Sequence, residues 1–124
     1  GTEWTKGAFT TNGKIPKLDS RITVIKGWFE QTLPIFAKKL DSPISIIHID
    51  SDTYESTNFV LKELEVFLSA GTLILFDEYH GHPNWENCEF KAWQECVLRN
   101  NIDYKYFAGS KDPINIINKY SRCI

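Results

Sequence analysis

Apolar positions along this chain switch between a strand-like and a helical period, and the switches mark out its elements. Ile44 to Ile49 is an apolar run broken only by Ser45 and His48, the pattern of a strand covered on both faces within a parallel sheet. Val60, Leu61, Leu64, Phe67 and Leu68 then trace the buried stripe of a helix, which Ser69-Ala70-Gly71 ends with a glycine just past its last turn. Thr72 to Phe76 is a second apolar strand. Upstream, Arg21 to Ile25 predicts a short β-branched strand; after Gly27, Trp28, Phe29, Leu33, Phe36 and Leu40 recur at helical spacing around Pro34. Downstream, Tyr79 to Trp85 reads as a loop through His80, Gly81, His82 and Pro83, and Phe90, Trp93 and Val97 share one helix face. Tyr104 to Phe107 and Ile114 to Ile117 read as strands so close in sequence, with Gly109 and Pro113 between them, that they form an antiparallel hairpin.

The predicted order is β-α-β-α-β-α-β-β, an α/β fold with helices on the faces of a mostly parallel sheet and an antiparallel strand near one edge. Residues 1–20, with isolated Trp4 and Phe9 and neither period, form an N-terminal arm; residues 21–124 carry the domain.

Composition narrows the function classes. A chain of 124 residues builds at most one domain with a modest core. Its formal net charge of -2 gives no long-range attraction to nucleic acid or to an anionic membrane surface. No apolar run reaches bilayer-spanning length, so the expected location is the cytoplasm. Cys88, Cys96 and Cys123 are an odd number and predict free thiols in a reducing compartment. The chain has no Met and begins with Gly1, which predicts a processed product or a piece of a longer protein.

Both apolar strands stop at acidic residues, Asp50-Ser51-Asp52 and Asp77-Glu78, and parallel sheets bind ligands outside the carboxyl ends of their strands. Three converging carboxylates raise one another's pKa unless a cation neutralises them. Oxygen ligands alone select a hard ion such as Mg²⁺, which orients substrate hydroxyls, so Asp50, Asp77 and Glu78 are candidate metal ligands. Asp52, with Glu55 three residues on, is divided between helix cap and catalytic base. His80 and His82 are general-base candidates or plain loop histidines. Together with Cys88 and Cys96 they lack the paired spacing of a zinc site. His48, inside a strand, reads as a satisfied buried histidine. Trp28, Trp85 and Trp93 read as packing, with Trp28 beside Gly27 also placed to wall a planar ligand group.

Three blocks carry a family resemblance. The runs Lys26-Gly27-Trp28-Phe29-Glu30-Gln31-Thr32-Leu33-Pro34, His48-Ile49-Asp50-Ser51-Asp52-Thr53-Tyr54-Glu55-Ser56-Thr57 and Phe76-Asp77-Glu78-Tyr79 resemble the macrocin O-methyltransferase family. The arm from Trp4 through Gly7, Phe9 and Pro16 is similar to the segment that leads into them. That family consists of class I S-adenosylmethionine-dependent enzymes that methylate sugar hydroxyls with the help of Mg²⁺. The resemblance implies a partial Rossmann-like class I methyltransferase sheet, strands 3 to 7 of the usual seven, with the first two strands and their glycine-rich cofactor turn absent. It implies that Asp50, Asp77 and Glu78 hold Mg²⁺, with Glu78 where the family more often has Asp. It further implies that Gly27 and Trp28 line the cofactor, with Asp50 beside them, and that the acceptor is a sugar-like small molecule, for which Asp52 or His80 is the expected base.

Without the glycine-rich turn, the fragment itself is expected to be inactive. Without two strands, Ile44 to Ile49 is expected to be an open apolar edge, closed either by a second copy of the chain or by a rearranged Arg21–Ile25 strand. Two other readings remain at this stage. Ile49-Asp50-Ser51-Asp52-Thr53 also matches the aspartate-x-aspartate motif of metal-dependent nucleotide-sugar glycosyltransferases, and the similar aspartate pair that opens the haloacid-dehalogenase phosphatases. A non-catalytic, self-associating fragment is the third.

Overall fold

In a computed structural model, which describes residues 10–108 and 116–122, the two apolar runs form parallel neighbours. Strand β1 (Ile46–Ile49) pairs with β2 (Leu73–Phe76) residue for residue, from Ile46 opposite Leu73 to Ile49 opposite Phe76. Side-chain alternation assigns their faces. Ile47, Ile49, Ile74 and Phe76 are buried, whereas Ile46 and His48 stand exposed on the other face of β1. The apolar run is therefore covered on one face only, and His48, expected to be buried, is half-exposed.

The sheet is completed by β3 (Ile102–Ala108) and β4 (Ile116–Arg122), which form the expected antiparallel hairpin with strands longer than the sequence suggests. Ile114, the predicted start of the second strand, lies outside the described residues. Strand order is β1-β2-β4-β3, so β4 enters between β2 and β3 and runs antiparallel to both.

Helix α1 (Phe29–Ala37) contains Pro34, which lacks the N–H for one helical hydrogen bond, and it stops short of the predicted Leu40. Helix α2 (Tyr54–Leu64) starts at Thr53, whose side chain accepts the Ser56 N–H at 3.3 Å, and buries Thr57, Val60, Leu61 and Leu64. Its expected continuation to Leu68 is instead one tighter turn, Glu65–Phe67. Gly71, at φ +95°, belongs to the turn into β2, where the Thr72 N–H donates to the Ser69 carbonyl at 3.0 Å. Helix α3 (Glu89–Asn100) buries Ala92, Trp93 and Cys96 and ends at Asn101 in the left-handed conformation that closes many helices.

Aromatic packing joins sheet to helix. The Phe76 ring lies 5.1 Å from Tyr79 and 5.9 Å from Trp93, and Trp93 meets Tyr104 edge-on at 5.3 Å. Cys88 and Cys96 are free thiols, and burial first of all pushes Cys96 up to about 11, so it stays protonated; Cys123 lies outside the described residues. Among the described residues no helix is long and apolar enough to cross a membrane.

The segment Arg21 to Ile25 does not form the predicted strand. Its β-branched residues supply a local preference, but a ladder needs a partner, and none of the four strands pairs with it. Ile22, Val24 and Ile25 are instead exposed, after a turn in which the Ile22 N–H donates to the Asp19 carbonyl at 3.0 Å. The segment also does not fill the sheet edge. Strand β1 is the last in the sheet, and its Ile46 is 61% exposed.

Replacing Phe76 by Ala should remove the centre of this core. A loss of about 3–5 kcal/mol is expected, read as a lower urea midpoint at unchanged m-value.

Candidate functional site

Beyond the last β1–β2 pair the ladder runs one rung further, the Asp77 N–H donating to the Ile49 carbonyl at 2.9 Å. The chain therefore leaves both strands at the same level, with Asp50 and Asp77 as the first residues out. Asp50, Asp52 and Glu78 are exposed and Asp77 is partly so. His48, on the exposed face of β1, brings its Nε2 within 3.6 Å of an Asp77 carboxylate oxygen.

These acids share one end of the sheet, but they are not gathered into a ligand set. Among the described residues no three His, Cys, Asp or Glu side chains are grouped so as to hold a metal ion. Asp50, Asp77 and Glu78 as placed do not fit Mg²⁺, and the His80, His82, Cys88 and Cys96 set does not fit zinc.

Asp52 is not the cap of α2, because Thr53 fills that position. It sits instead at the centre of a three-residue turn, closed by a hydrogen bond from the Thr53 N–H to the Ser51 carbonyl at 2.6 Å, with φ +57°. A γ-turn with positive φ at a non-glycine residue is strained, and such strain persists only where surrounding contacts impose it. One such contact joins the Ser51 and Thr57 hydroxyls, 2.9 Å apart, with Thr57 wholly buried.

The loop after β2 is held from inside. His82 lies between the carbonyls of Glu78 and Pro83, at 3.1 and 3.0 Å, and the His80 ring packs against Trp85 and the edge of Tyr79. The buried Tyr79 hydroxyl meets that of Tyr106 at 2.8 Å and accepts from Gln94 at 3.3 Å. Burial, then the Tyr106 contact, raise Tyr79 far above the ordinary phenol range, while Tyr106 is pushed up to about 12, mainly by burial. Both stay neutral.

Glu89 is the residue that sequence reading missed. It opens α3 and looks there like an ordinary first-turn acid, yet it is fully buried. Its Oε2 accepts the Glu78 N–H at 3.1 Å, whereas Oε1 has no partner among the described residues. Burial pushes Glu89 up to about 7; the backbone N–H groups of Glu78 and Ser51 pull it down, and the charges of Glu78 and Asp52 raise it again. The signal that marks it is an acid followed by the buried face Ala92, Trp93 and Cys96.

Between α1 and the open edge of β1 lies a groove, apolar at Phe29, Leu33 and Val60 and polar at His48, Asp50 and Ser51. Gly27 and Trp28 precede its α1 wall. At Gly27, φ is +149° and a Cβ would come within 2.6 Å of the Thr32 methyl, so a larger residue is strained there and displaces the Thr32 side chain. Trp28 is largely exposed. The groove suits a ligand with one apolar and one hydrogen-bonding end.

A family model described as a methyltransferase domain matches residues 2–79, from the N-terminal arm through both acidic loops. A Streptomyces olivaceus protein, 8-demethyl-8-(2,3-dimethoxy-alpha-L-rhamnosyl)-tetracenomycin-C 4'-O-methyltransferase, is 36% identical over 101 residues, which is 82% of this chain and 33% of the relative. Among solved structures, the O-methyltransferase NovP aligns over 85% of this chain and 40% of its own, with TM-score 0.65 and 25% identity. The calicheamicin-biosynthesis enzyme CalS11, a TDP-rhamnose 3'-O-methyltransferase, aligns over 74% of this chain and 40% of its own, with TM-score 0.57 and 25% identity. The chain thus spans about a third of the length of the Streptomyces relative.

Because Glu89 is more basic when folded than when unfolded, its contribution to stability is complete below the unfolded value of 4.5 and is lost as pH rises through about 7. The melting temperature should fall by about 5 °C between pH 5 and pH 8. In Glu89→Gln that slope should flatten, as followed by circular dichroism.

Proposed function

Since the chain belongs to the methyltransferase-domain family, we propose that it is part of an S-adenosylmethionine-dependent O-methyltransferase acting on a sugar-like hydroxyl. The observation that carries this reading is that the family match runs through both loops in which Asp50, Asp52, Asp77 and Glu78 lie together at the strand ends. The names of the Streptomyces relative and of CalS11 supply the acceptor class, a hydroxyl on a rhamnose unit.

When bound, the cofactor supplies an electrophilic methyl group on a sulfonium. The groove beside Gly27, Trp28 and Asp50 is the candidate cofactor wall, with Phe29 and Leu33 covering apolar surface and Asp50 and Ser51 meeting polar atoms. Asp52, exposed and held by its strained turn, is the favoured base. Its carboxylate would take the proton of the acceptor hydroxyl and so make that oxygen nucleophilic toward the methyl group that the cofactor would supply. His80, packed on Trp85, is the second candidate for this proton. Asp50, Asp77 and Glu78, which form no three-ligand metal group here, enter as charges that orient hydroxyls.

A second part of the proposal concerns assembly. The unpaired edge of β1, with exposed Ile46, offers a ladder to the same edge of a second copy.

Four measurements test these points. In the longer protein proposed to contain this chain, Asp52→Asn should lower kcat by about 100-fold or more with folding intact, whereas unchanged turnover would remove Asp52 from the reaction. The 124 residues alone should show no robust methyl transfer. Calorimetry on that longer protein should give heat with S-adenosylhomocysteine and none with a uridine-diphosphate sugar, the reverse favouring the glycosyltransferase reading. Light scattering should give a dimer for the chain, weakened by Ile46→Lys; a monomer with fast amide exchange at Ile46–Ile49 would count against the pairing.

A further inference from the structure

We propose that Tyr79 is a positioning residue: its buried phenol ties the loop after β2 to strand β3 and helix α3, and so fixes Glu78 and His80, its neighbours on either side. The inference rests on the methyltransferase reading for its purpose, but not for its geometry. Tyr79 is 2% exposed, whereas Glu78 before it is exposed and His80 after it partly so. Consecutive Cα atoms are about 3.8 Å apart, so a hold on the middle residue restrains the other two. The hydroxyls of Tyr79 and Tyr106, 27 residues apart in the chain, meet at 2.8 Å. Gln94 Nε2, on α3, donates to the Tyr79 hydroxyl oxygen at 3.3 Å and to that of Tyr104 at 3.0 Å. The Tyr104 and Tyr106 hydroxyls, 3.4 Å apart, close the ring. One phenol in the loop thus meets a side chain from β3 and another from α3.

Packing alone does not account for the hydroxyl. The Tyr79 ring lies 5.1 Å from Phe76, 5.4 Å from Phe90 and 5.9 Å from Tyr106, and a phenylalanine would keep all three contacts without a polar atom to bury. Apolar contact is non-directional and leaves a ring free to rock. A hydrogen bond sets a distance and an angle. Through Tyr106 the loop is referenced to the same sheet whose strand ends carry Asp50 and Asp77. Glu78 and His80 are thereby held relative to those acids rather than only to each other.

The test is a two-dimensional ¹H–¹⁵N spectrum of the chain carrying Tyr79→Phe, Tyr106→Phe or both, together with amide exchange at single-residue resolution. Phenylalanine keeps each ring in place, so the changes report the hydroxyls. In each single variant the Glu78 and His80 amide signals should move, and the Glu78 amide, bonded to Glu89, should exchange at least about fivefold faster. The amides of Ala92 and Trp93 should keep their shifts and protection. The double variant should go no further than Tyr79→Phe alone, because Tyr106 acts on the loop through the Tyr79 hydroxyl. Glu78 and His80 amides unmoved in Tyr106→Phe would overturn the proposal, as would equal loss of protection throughout α3 or effects that simply add in the double variant. If Tyr79→Phe fails to fold, Tyr106→Phe decides the outcome, since Tyr106 is 51% exposed and tolerates the change. None of these readouts needs methyl transfer, so failure here is distinct from failure of the methyltransferase reading, which calorimetry judges.

Discussion

The in-register pairing of β1 with β2 is the constraint on which the rest of the molecule depends. Because Ile49 sits opposite Phe76 and the ladder continues through the Asp77 N–H, the two strands end level, and the residues that follow them enter solvent together. A slip of one residue would turn Ile47 and Ile49 out of the core and bury His48. The buried set Ile47, Ile49, Ile74 and Phe76 therefore fixes the acidic end of the sheet as firmly as it fixes the core.

How much of this could be read from sequence depended on whether one segment or two made the feature. The strand ends at Asp50 and Asp77 were legible because an apolar run stops where burial stops. The hairpin of β3 and β4 was legible from the short stretch between its strands. Arg21 to Ile25 was misread because β-branched residues state a preference, while a ladder requires a neighbour. Asp52 was ambiguous because an acid three residues before Glu55 serves equally well as a helix cap or as a base. Only the backbone, with φ +57° at Asp52, chooses Thr53. Glu89 was invisible because its burial and its bond to the Glu78 N–H are made by the tertiary fold, while its own surroundings in the chain are those of any first-turn acid.

The candidate site thus combines two regimes. Asp50, Asp52 and Glu78 stand in solvent, where charges are screened and interact weakly. Directly beneath them Glu89 is out of water, where each neighbouring charge is felt strongly. In the proposed reading the exposed acids are the ones that meet a ligand; the buried one is bonded to backbone. Rigidity in the loops then comes from hydrogen bonds, since the loops bury few apolar side chains besides Tyr79, whose neighbours Phe76, Phe90 and Tyr106 hold it by ring contacts.

Strand order has a consequence for how the molecule is made. β4 is the last in sequence of the four strands among the described residues, yet it occupies an inner place in the sheet, between β2 and β3. On a ribosome, β1, β2 and α3 emerge before the strand that must separate β2 from β3. Until β4 arrives, β2 presents an unpaired apolar edge, and a nascent chain in that condition is a target for chaperones and for mispairing with its neighbours. Closing the sheet demands a contact between Leu73 and Lys119, far apart in sequence, and non-local pairings of this kind form more slowly than local ones.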